Sequence, residues 1–150
     1  MDAQDWERYN NVNMQAKKLV LVVDDEPRIL HFVRINLHLA GYDVITTTSG
    51  EEALQLVVSG KPDLMLLDVL MSPMNGFDVL SQLRTFSRLP VILFTGKDDI
   101  GSTALCKGAN DYIVKPFKPE ELTKKITNLL EKTETLGEQF PSATRDDCKQ

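Results

Sequence analysis

Short apolar runs recur along the middle of the chain and alternate with stretches whose apolar residues are spaced three or four positions apart. There are five such runs: "KLVLVV" at 18–23, "YDVITT" at 42–47, "DLMLLD" at 63–68, "PVILFT" at 90–95 and "DYIVK" at 111–115. Runs of this length that contain β-branched residues predict strands. Because the first, third and fourth runs are apolar almost throughout, we expect those strands to be covered on both faces of a sheet.

The stretches between the runs predict five helices. The first begins near Pro27 and ends at Gly41, since proline favours the first helical turn and glycine the position after the last. The other four are expected at 49–60, 76–86, 98–108 and 119–132. Five strand–helix pairs in succession predict an α/β fold, a doubly wound parallel sheet with right-handed connections and helices on both faces.

The two ends of the chain differ from the middle in composition. Residues 1–16 and 133–150 are polar and lack sustained periodicity, so we interpret them as flexible tails around one domain at 17–132. Residues 133–150 could equally be a truncated linker instead of a tail. Residues 1–16 lack the apolar core of a signal peptide, and no apolar run approaches the roughly 18 residues of a membrane span. These features predict a cytoplasmic protein without a membrane partner.

Charge and cysteine content argue against two kinds of function, nucleic-acid binding and metal binding by cysteines. The formal net charge is −5, and the middle of the chain contains no cluster of lysine and arginine, so we expect no direct nucleic-acid binding by this chain. Cys106 and Cys148 lie far apart and show no metal-ligand spacing. We expect both to be free thiols of a reducing compartment, with Cys106 buried.

Polar side chains stand where the predicted strands end. Asp24 and Asp25 follow the first strand, Asp68 ends the third, Thr95 the fourth and Lys115 the fifth. The carboxyl ends of parallel strands share one edge, where open α/β sheets bind ligands. Each residue alone is most simply a solvated polar group at a strand end, but all five together indicate a site. Oxygen ligands with open positions suit Mg²⁺, and a carboxylate there can accept a phosphoryl group as an aspartyl phosphate.

Four motifs now point to a known family. In order and spacing, "VVDDEP", "LMLLDVLMSPMNGFDVL", "VILFTG" and "GANDYIVKPF" resemble the receiver domains of two-component response regulators, over about residues 17–132. The resemblance implies a flavodoxin-like sheet with strand order 2-1-3-4-5 and five helices. It also implies a function, the Mg²⁺-dependent transfer of a phosphoryl group to Asp68 from a sensor histidine kinase or a phosphotransfer protein.

The same resemblance assigns roles to individual residues. Asp24, Asp25, Asp68 and the backbone carbonyl of Leu70 are the implied metal ligands. Other implied roles are a switch made of Thr95 and Tyr112, a charge-neutralising Lys115 followed by a cis bond to Pro116, and positions that tune phosphoryl lifetime at Leu70 and Lys97. Such a domain is a phosphoacceptor with slow self-dephosphorylation rather than an enzyme. Its expected partners are a downstream effector protein and, after phosphorylation, a second copy of the chain.

The chain departs from the family pattern in two places, and it also differs from two other classes of protein. Met71 is followed by Ser72 before Pro73, and the segment from Thr95 to Lys115 is short. An aspartate-nucleophile phosphatase would have two aspartates two positions apart on its first strand, and a flavin mononucleotide carrier would have a phosphate loop there instead of "DDEPR". A further alternative within the family is the N-terminal receiver part of a DNA-binding transcriptional regulator.

Overall fold

Strands and helices alternate through the computed structural model, which describes residues 2–5, 7, 17–96 and 101–136. The strands are β1 (Leu19–Val23), β2 (Asp43–Thr47), β3 (Leu64–Asp68), β4 (Val91–Thr95) and β5 (Asp111–Val114). The helices between and after them are α1 (Pro27–Leu39), α2 (Gly50–Gly60), α3 (Gly76–Leu83), α4 (Gly101–Cys106) and α5 (Pro119–Leu136).

All five strands pair in parallel, in the order β2-β1-β3-β4-β5. This confirms the predicted α/β sheet and its strand order. The register places Asp68 of β3 beside Phe94 of β4, and Phe94 beside Ile113 of β5. Because the strands run in one direction, the residues that follow β1, β3, β4 and β5 come together at one edge of the sheet.

The sheet has a core on each face, because successive side chains of a strand point to opposite sides. On the first face, Val20, Val22 and Phe94 pack against α1 and α5. On the second face, Leu21 and Leu93 pack against α2, α3 and α4. The helices contribute Leu30, Val33, Leu37, Leu122, Ile126 and Leu130 to the first core, and Ala53, Val79, Leu80, Leu83 and Ala104 to the second.

Local side-chain chemistry sets where two of the helices begin. The Ser49 hydroxyl accepts a hydrogen bond from the Glu52 amide at 3.2 Å and caps α2. Asn75 and Asp78 form a reciprocal capping box at the start of α3, with bonds of 2.9 and 3.2 Å. Such caps satisfy backbone N–H groups that have no partner within the helix. They fix α3 directly after the loop that leaves β3.

A close backbone approach also holds this loop. The Gly76 amide donates to the Val69 carbonyl at 2.9 Å. A Cβ atom on Gly76 would collide with the Asp68 carbonyl oxygen and lie 2.8 Å from the Val69 Cα. Only glycine therefore lets α3 begin so near the end of β3, beside Asp68.

Several predicted boundaries differ from the structure. Helix α4 is described only at Gly101–Cys106, since residues 97–100 lie outside the described part, and α5 continues through Leu136 instead of ending at 132. Residues 3–5 and 7 are helical too, one helical segment more than the five predicted, and the Asp5 amide donates to Asp2 at 2.9 Å.

Two other sequence predictions are also addressed by the structure. Cys106 is half-buried and disulfide-bonded, so the prediction of a buried free thiol is wrong. Among the described residues, no helix has the length and apolar content needed to cross a membrane.

Candidate functional site

Three carboxylates meet at the carboxyl edge of the sheet. Asp24 and Asp25 follow β1, Asp68 ends β3, and each offers an oxygen within 4.8 Å of the others'. Asp24 is fully buried and Asp68 is 5% exposed, whereas Asp25 is exposed. The cluster therefore consists of a buried pair and a third carboxylate open to solvent.

A lysine from the far side of the sheet neutralises the buried pair in part. The Lys115 Nζ lies 2.9 Å from the Asp24 Oδ2 and 3.4 Å from the Asp68 Oδ1. Lys115 follows β5, and its amide donates to the Thr95 carbonyl at 2.7 Å. The Lys115–Pro116 bond is cis, as the resemblance implies, and Ser72–Pro73 is cis as well.

Backbone amides hold the same two carboxylates from the other direction. The Glu26 amide donates to the Asp24 Oδ1 at 2.9 Å, and the Leu70 amide donates to the Asp68 Oδ1 at 3.4 Å. Hydrogen bonds of this kind favour the ionised form of a carboxyl group. Both side chains are therefore oriented by the loops that follow their own strands.

The electrostatics of the pair are dominated by burial. Burial and the negative charge of Asp24 raise the pKa of Asp68 to about 6, against the lowering effect of Lys115 and the Leu70 amide. Burial alone lowers the pKa of Lys115, but its hydrogen bond to Asp24 and the charges of Asp24 and Asp68 outweigh burial and raise it. Among the described residues, three acidic side chains thus face a single lysine in the site.

This donor set fits a hard divalent cation. Carboxylate oxygens are the ligands that Mg²⁺ prefers, and it usually takes one or two of them while keeping several waters. The exposed Asp25 leaves one side of the cluster open to solvent, and the excess of negative charge calls for a cation. Asp24, Asp25 and Asp68 are the residues that could hold it, and the Leu70 carbonyl stays a predicted ligand.

The other predicted residues have different surroundings. Thr95 ends β4 and is fully buried, while Tyr112 in β5 is half-buried and packs against the core of the second face. The Leu70 side chain is 59% exposed beside Asp68. Lys97 lies outside the described residues. The structure therefore brings Asp24, Asp25, Asp68 and Lys115 into one cluster, with Thr95 and Tyr112 on the next two strands.

One residue of the site was missed by reasoning from the sequence. The Phe94 ring lies under the Lys115 ammonium, with 5.1 Å between the Nζ and the ring centroid. Phe94 sits within the apolar run "VILFT", which predicts a core strand and nothing more. No local signal marks it, because its neighbour in space is twenty-one positions away in the sequence.

The fold and this cluster define a class of protein: a doubly wound domain with an aspartate pocket and a lysine at the carboxyl edge of its sheet. The family model described as "Response regulator receiver domain" matches residues 20–127. The chain belongs to this family.

Individual relatives extend the comparison. The chain is 43% identical over 120 residues to "Probable transcriptional regulator ycf27" of Cyanophora paradoxa, which covers 79% of this chain and 50% of that one. It is 41% identical over 120 residues to "Alkaline phosphatase synthesis transcriptional regulatory protein PhoP" of Bacillus subtilis, covering 78% and 50%. The chain spans about half the length of these curated relatives.

Solved structures of single receiver domains are similar over nearly their full length. The receiver domain of Francisella response regulator 1452 superposes with a TM-score of 0.74 at 29% identity, covering 78% of this chain and 99% of that one. Chemotaxis protein CheY4 of Vibrio cholerae gives a TM-score of 0.70 at 32% identity, with coverage of 76% and 99%. These similarities confirm the flavodoxin-like receiver fold.

Proposed function

We propose that this chain accepts a phosphoryl group on Asp68 and thereby works as the receiver of a two-component response regulator. The observation that carries the proposal is the position of Asp68, a nearly buried carboxylate at a strand end, held by Lys115 beside two further carboxylates. Such an arrangement has no packing purpose, because burying like charges together raises the free energy of the fold.

The chemistry is an in-line displacement at phosphorus. A carboxylate oxygen of Asp68 forms the new P–O bond, the P–N bond of the donor phosphohistidine breaks, and its electron pair stays on the imidazole nitrogen. Lys115, already 3.4 Å from the Asp68 Oδ1, is placed to bind the phosphoryl oxygens through charge-assisted hydrogen bonds. When bound to Asp24, Asp25, Asp68 and the Leu70 carbonyl, Mg²⁺ supplies additional positive charge.

Thr95 and Tyr112 are the proposed switch. The Thr95 hydroxyl would move toward a phosphoryl group on Asp68, and Tyr112 on the neighbouring strand would follow it inward. The chain is on this proposal a phosphoacceptor with slow self-dephosphorylation, not an enzyme. A change of packing around these two side chains would alter a protein-interaction face.

The partners follow from this role. We propose a sensor histidine kinase or a phosphotransfer protein as donor, a downstream effector protein as target, and a phosphorylation-dependent homodimer, all in the cytoplasm. A second candidate is the receiver part of a DNA-binding transcriptional regulator. It is favoured because the chain spans only about half of relatives whose names describe transcriptional regulators.

The test is labelling by a small phosphodonor such as acetyl phosphate in Mg²⁺ buffer. One base-labile phosphoryl group per chain is expected, detected by intact-protein mass spectrometry, and none in Asp68→Asn. The matched control is Asp43→Asn, which alters an exposed carboxylate at the start of β2 and should label like the parent. Full labelling of Asp68→Asn would show that the acceptor is another residue.

A further inference from the structure

Lys115 reaches its carboxylates across a neighbouring strand. It follows β5, whereas Asp68 ends β3, and β4 lies between these two strands. Neighbouring strands are roughly 4.8 Å apart, so the side chain bridges on the order of 10 Å to meet Asp68. The β4 residue at this level is Phe94, which pairs with Asp68 on one side and Ile113 on the other. The lysine therefore passes over Phe94.

The Phe94 ring meets the ammonium at a distance suited to a cation–π contact. The Lys115 Nζ is 5.1 Å from the ring centroid, and Phe94 is fully buried. An ammonium over an aromatic face is attracted by the ring quadrupole, and the attraction grows when water is excluded. Ile92, two residues earlier on the same face, packs in the first core without any such polar neighbour at the carboxyl edge.

Packing holds the ring in this orientation. Phe117 contacts Phe94 edge-to-face, with centroids 6.1 Å apart and planes at 85°. Phe117 in turn contacts Phe32 of α1 at 6.5 Å. Edge-to-face geometry is the preferred arrangement of aromatic pairs. The Phe94 ring is therefore a fixed surface, whereas the stem of the lysine above it is flexible.

We propose that Phe94 is a positioning residue for Lys115, with its ring face holding the ammonium at the height and direction needed to meet phosphoryl oxygens on Asp68. This inference rests on the proposed function and deepens it. A leucine or isoleucine at 94 would also be apolar, but would leave the ammonium held by the carboxylates alone.

Graded fluorination of the ring separates this role from packing. Replacing Phe94 with mono-, di- and trifluorophenylalanine keeps the ring shape nearly constant while weakening the negative potential of its face. The initial rate of phosphorylation by acetyl phosphate should fall in steps, by about threefold to tenfold for the trifluoro ring. The same series at Phe86, an exposed ring beyond the end of α3, is the control and should leave the rate unchanged.

Two further results complete the test. In a Lys115→Met background, fluorination of Phe94 should no longer change the rate. In the metal-free protein, the Lys115 ε-methylene protons should show an upfield ring-current shift by NMR, lost in Phe94→Leu and kept in Phe86→Leu.

Equal rates across the Phe94 series, or unshifted lysine protons in the parent, would overturn the inference. If the parent accepts no phosphoryl group at all, the proposed function fails instead. The NMR result then decides on the positioning of the lysine by itself.

Discussion

Asp68 is the residue in which burial and charge conflict most strongly. Its side chain is nearly inaccessible, and burial together with the charge of the fully buried Asp24 raises its pKa to about 6 from an ordinary value of 3.8. On the proposed function Asp68 must be ionised to attack phosphorus, and burial makes the ionised form the more costly one. Lys115, at 3.4 Å, offsets part of this cost.

The stability of the metal-free protein should record this conflict. Because the folded pKa of Asp68 exceeds the unfolded one, the folded state binds the proton more tightly, and stability falls as pH rises from about 4 to about 6. Asp68→Asn should therefore raise the free energy of unfolding by about 2–3 kcal/mol at pH 7.5, and by much less at pH 4.5. Urea titrations with a chelator at both pH values measure the difference. If the difference in the free energy of unfolding between Asp68→Asn and the parent were the same at both pH values, it would contradict the raised pKa of Asp68.

The lifetime of a phosphoryl group on Asp68 is a second property of single side chains. Leu70 is 59% exposed beside Asp68 and offers no hydrogen bond with which to orient an attacking water. Leu70→Asn combined with Lys97→Glu should shorten the half-life of the phosphoprotein by roughly tenfold. Loss of label in Mg²⁺ buffer measures it, with Leu70→Met as the apolar control. Decay no faster than in the parent would show that the lifetime is set elsewhere.

At the scale of elements, the junction of β3 with α3 determines how Asp68 is presented. Gly76 brings the first turn of α3 against the backbone of Asp68 and Val69, and the Asn75–Asp78 capping box fixes that turn. The first turn of α3 therefore packs against the backbone at the start of the loop that carries Leu70.

Gly76→Ala should disturb both fold and site. Its Cβ meets backbone that cannot move aside, so we expect a loss of about 1–3 kcal/mol in the free energy of unfolding and slower labelling of Asp68. Gly96→Ala is the control, since a Cβ at Gly96 has no atom within 4 Å and should change stability by less than about 0.5 kcal/mol. Denaturant unfolding of both variants gives the comparison. Equal stability of the two would contradict the close approach.

Elements whose cause is local could be predicted from the sequence. Apolar runs gave the five strands, and Ser49 and Gly41 marked helix ends where the structure has them. The predicted end of α2 at Gly60 was also correct, and the residue that adopts the left-handed conformation after it is Lys61 (φ 47°). On α1, Leu30, Val33 and Leu37 enter the core.

Contacts between distant segments of the chain could not be predicted from the sequence. Arg84 donates to the Gly108 and Ser87 carbonyls and to the Asn110 side chain at 3.0–3.2 Å, joining α3 to the start of β5. Its pKa is lowered to about 10 by burial. The cluster of Asp24, Asp25, Asp68 and Lys115 could be predicted because strand ends share an edge. The Lys115–Phe94 contact could not, because it depends on which residue of β4 lies at that level.

At the scale of the whole molecule, net charge bears on nucleic-acid binding. We expect the 150-residue chain to show no sequence-specific DNA binding, phosphorylated or not, because its net charge is −5. Electrophoretic mobility shifts over a range of salt concentrations measure this. A salt-sensitive shift that depends on DNA sequence would refute it.

The bond between Lys115 and Asp24 makes the lysine an intramolecular competitor for any cation that approaches the three carboxylates. Competition of this kind is reciprocal: whatever free energy the ammonium takes from an incoming ion, the ion takes from the ammonium. Without a bound cation, Lys115 stays paired with Asp24. A cation that bound Asp24 would weaken this ion pair and free the ammonium. On the proposed function, readiness to accept a phosphoryl group would then depend on the divalent-cation concentration as well as on the supply of phosphodonor.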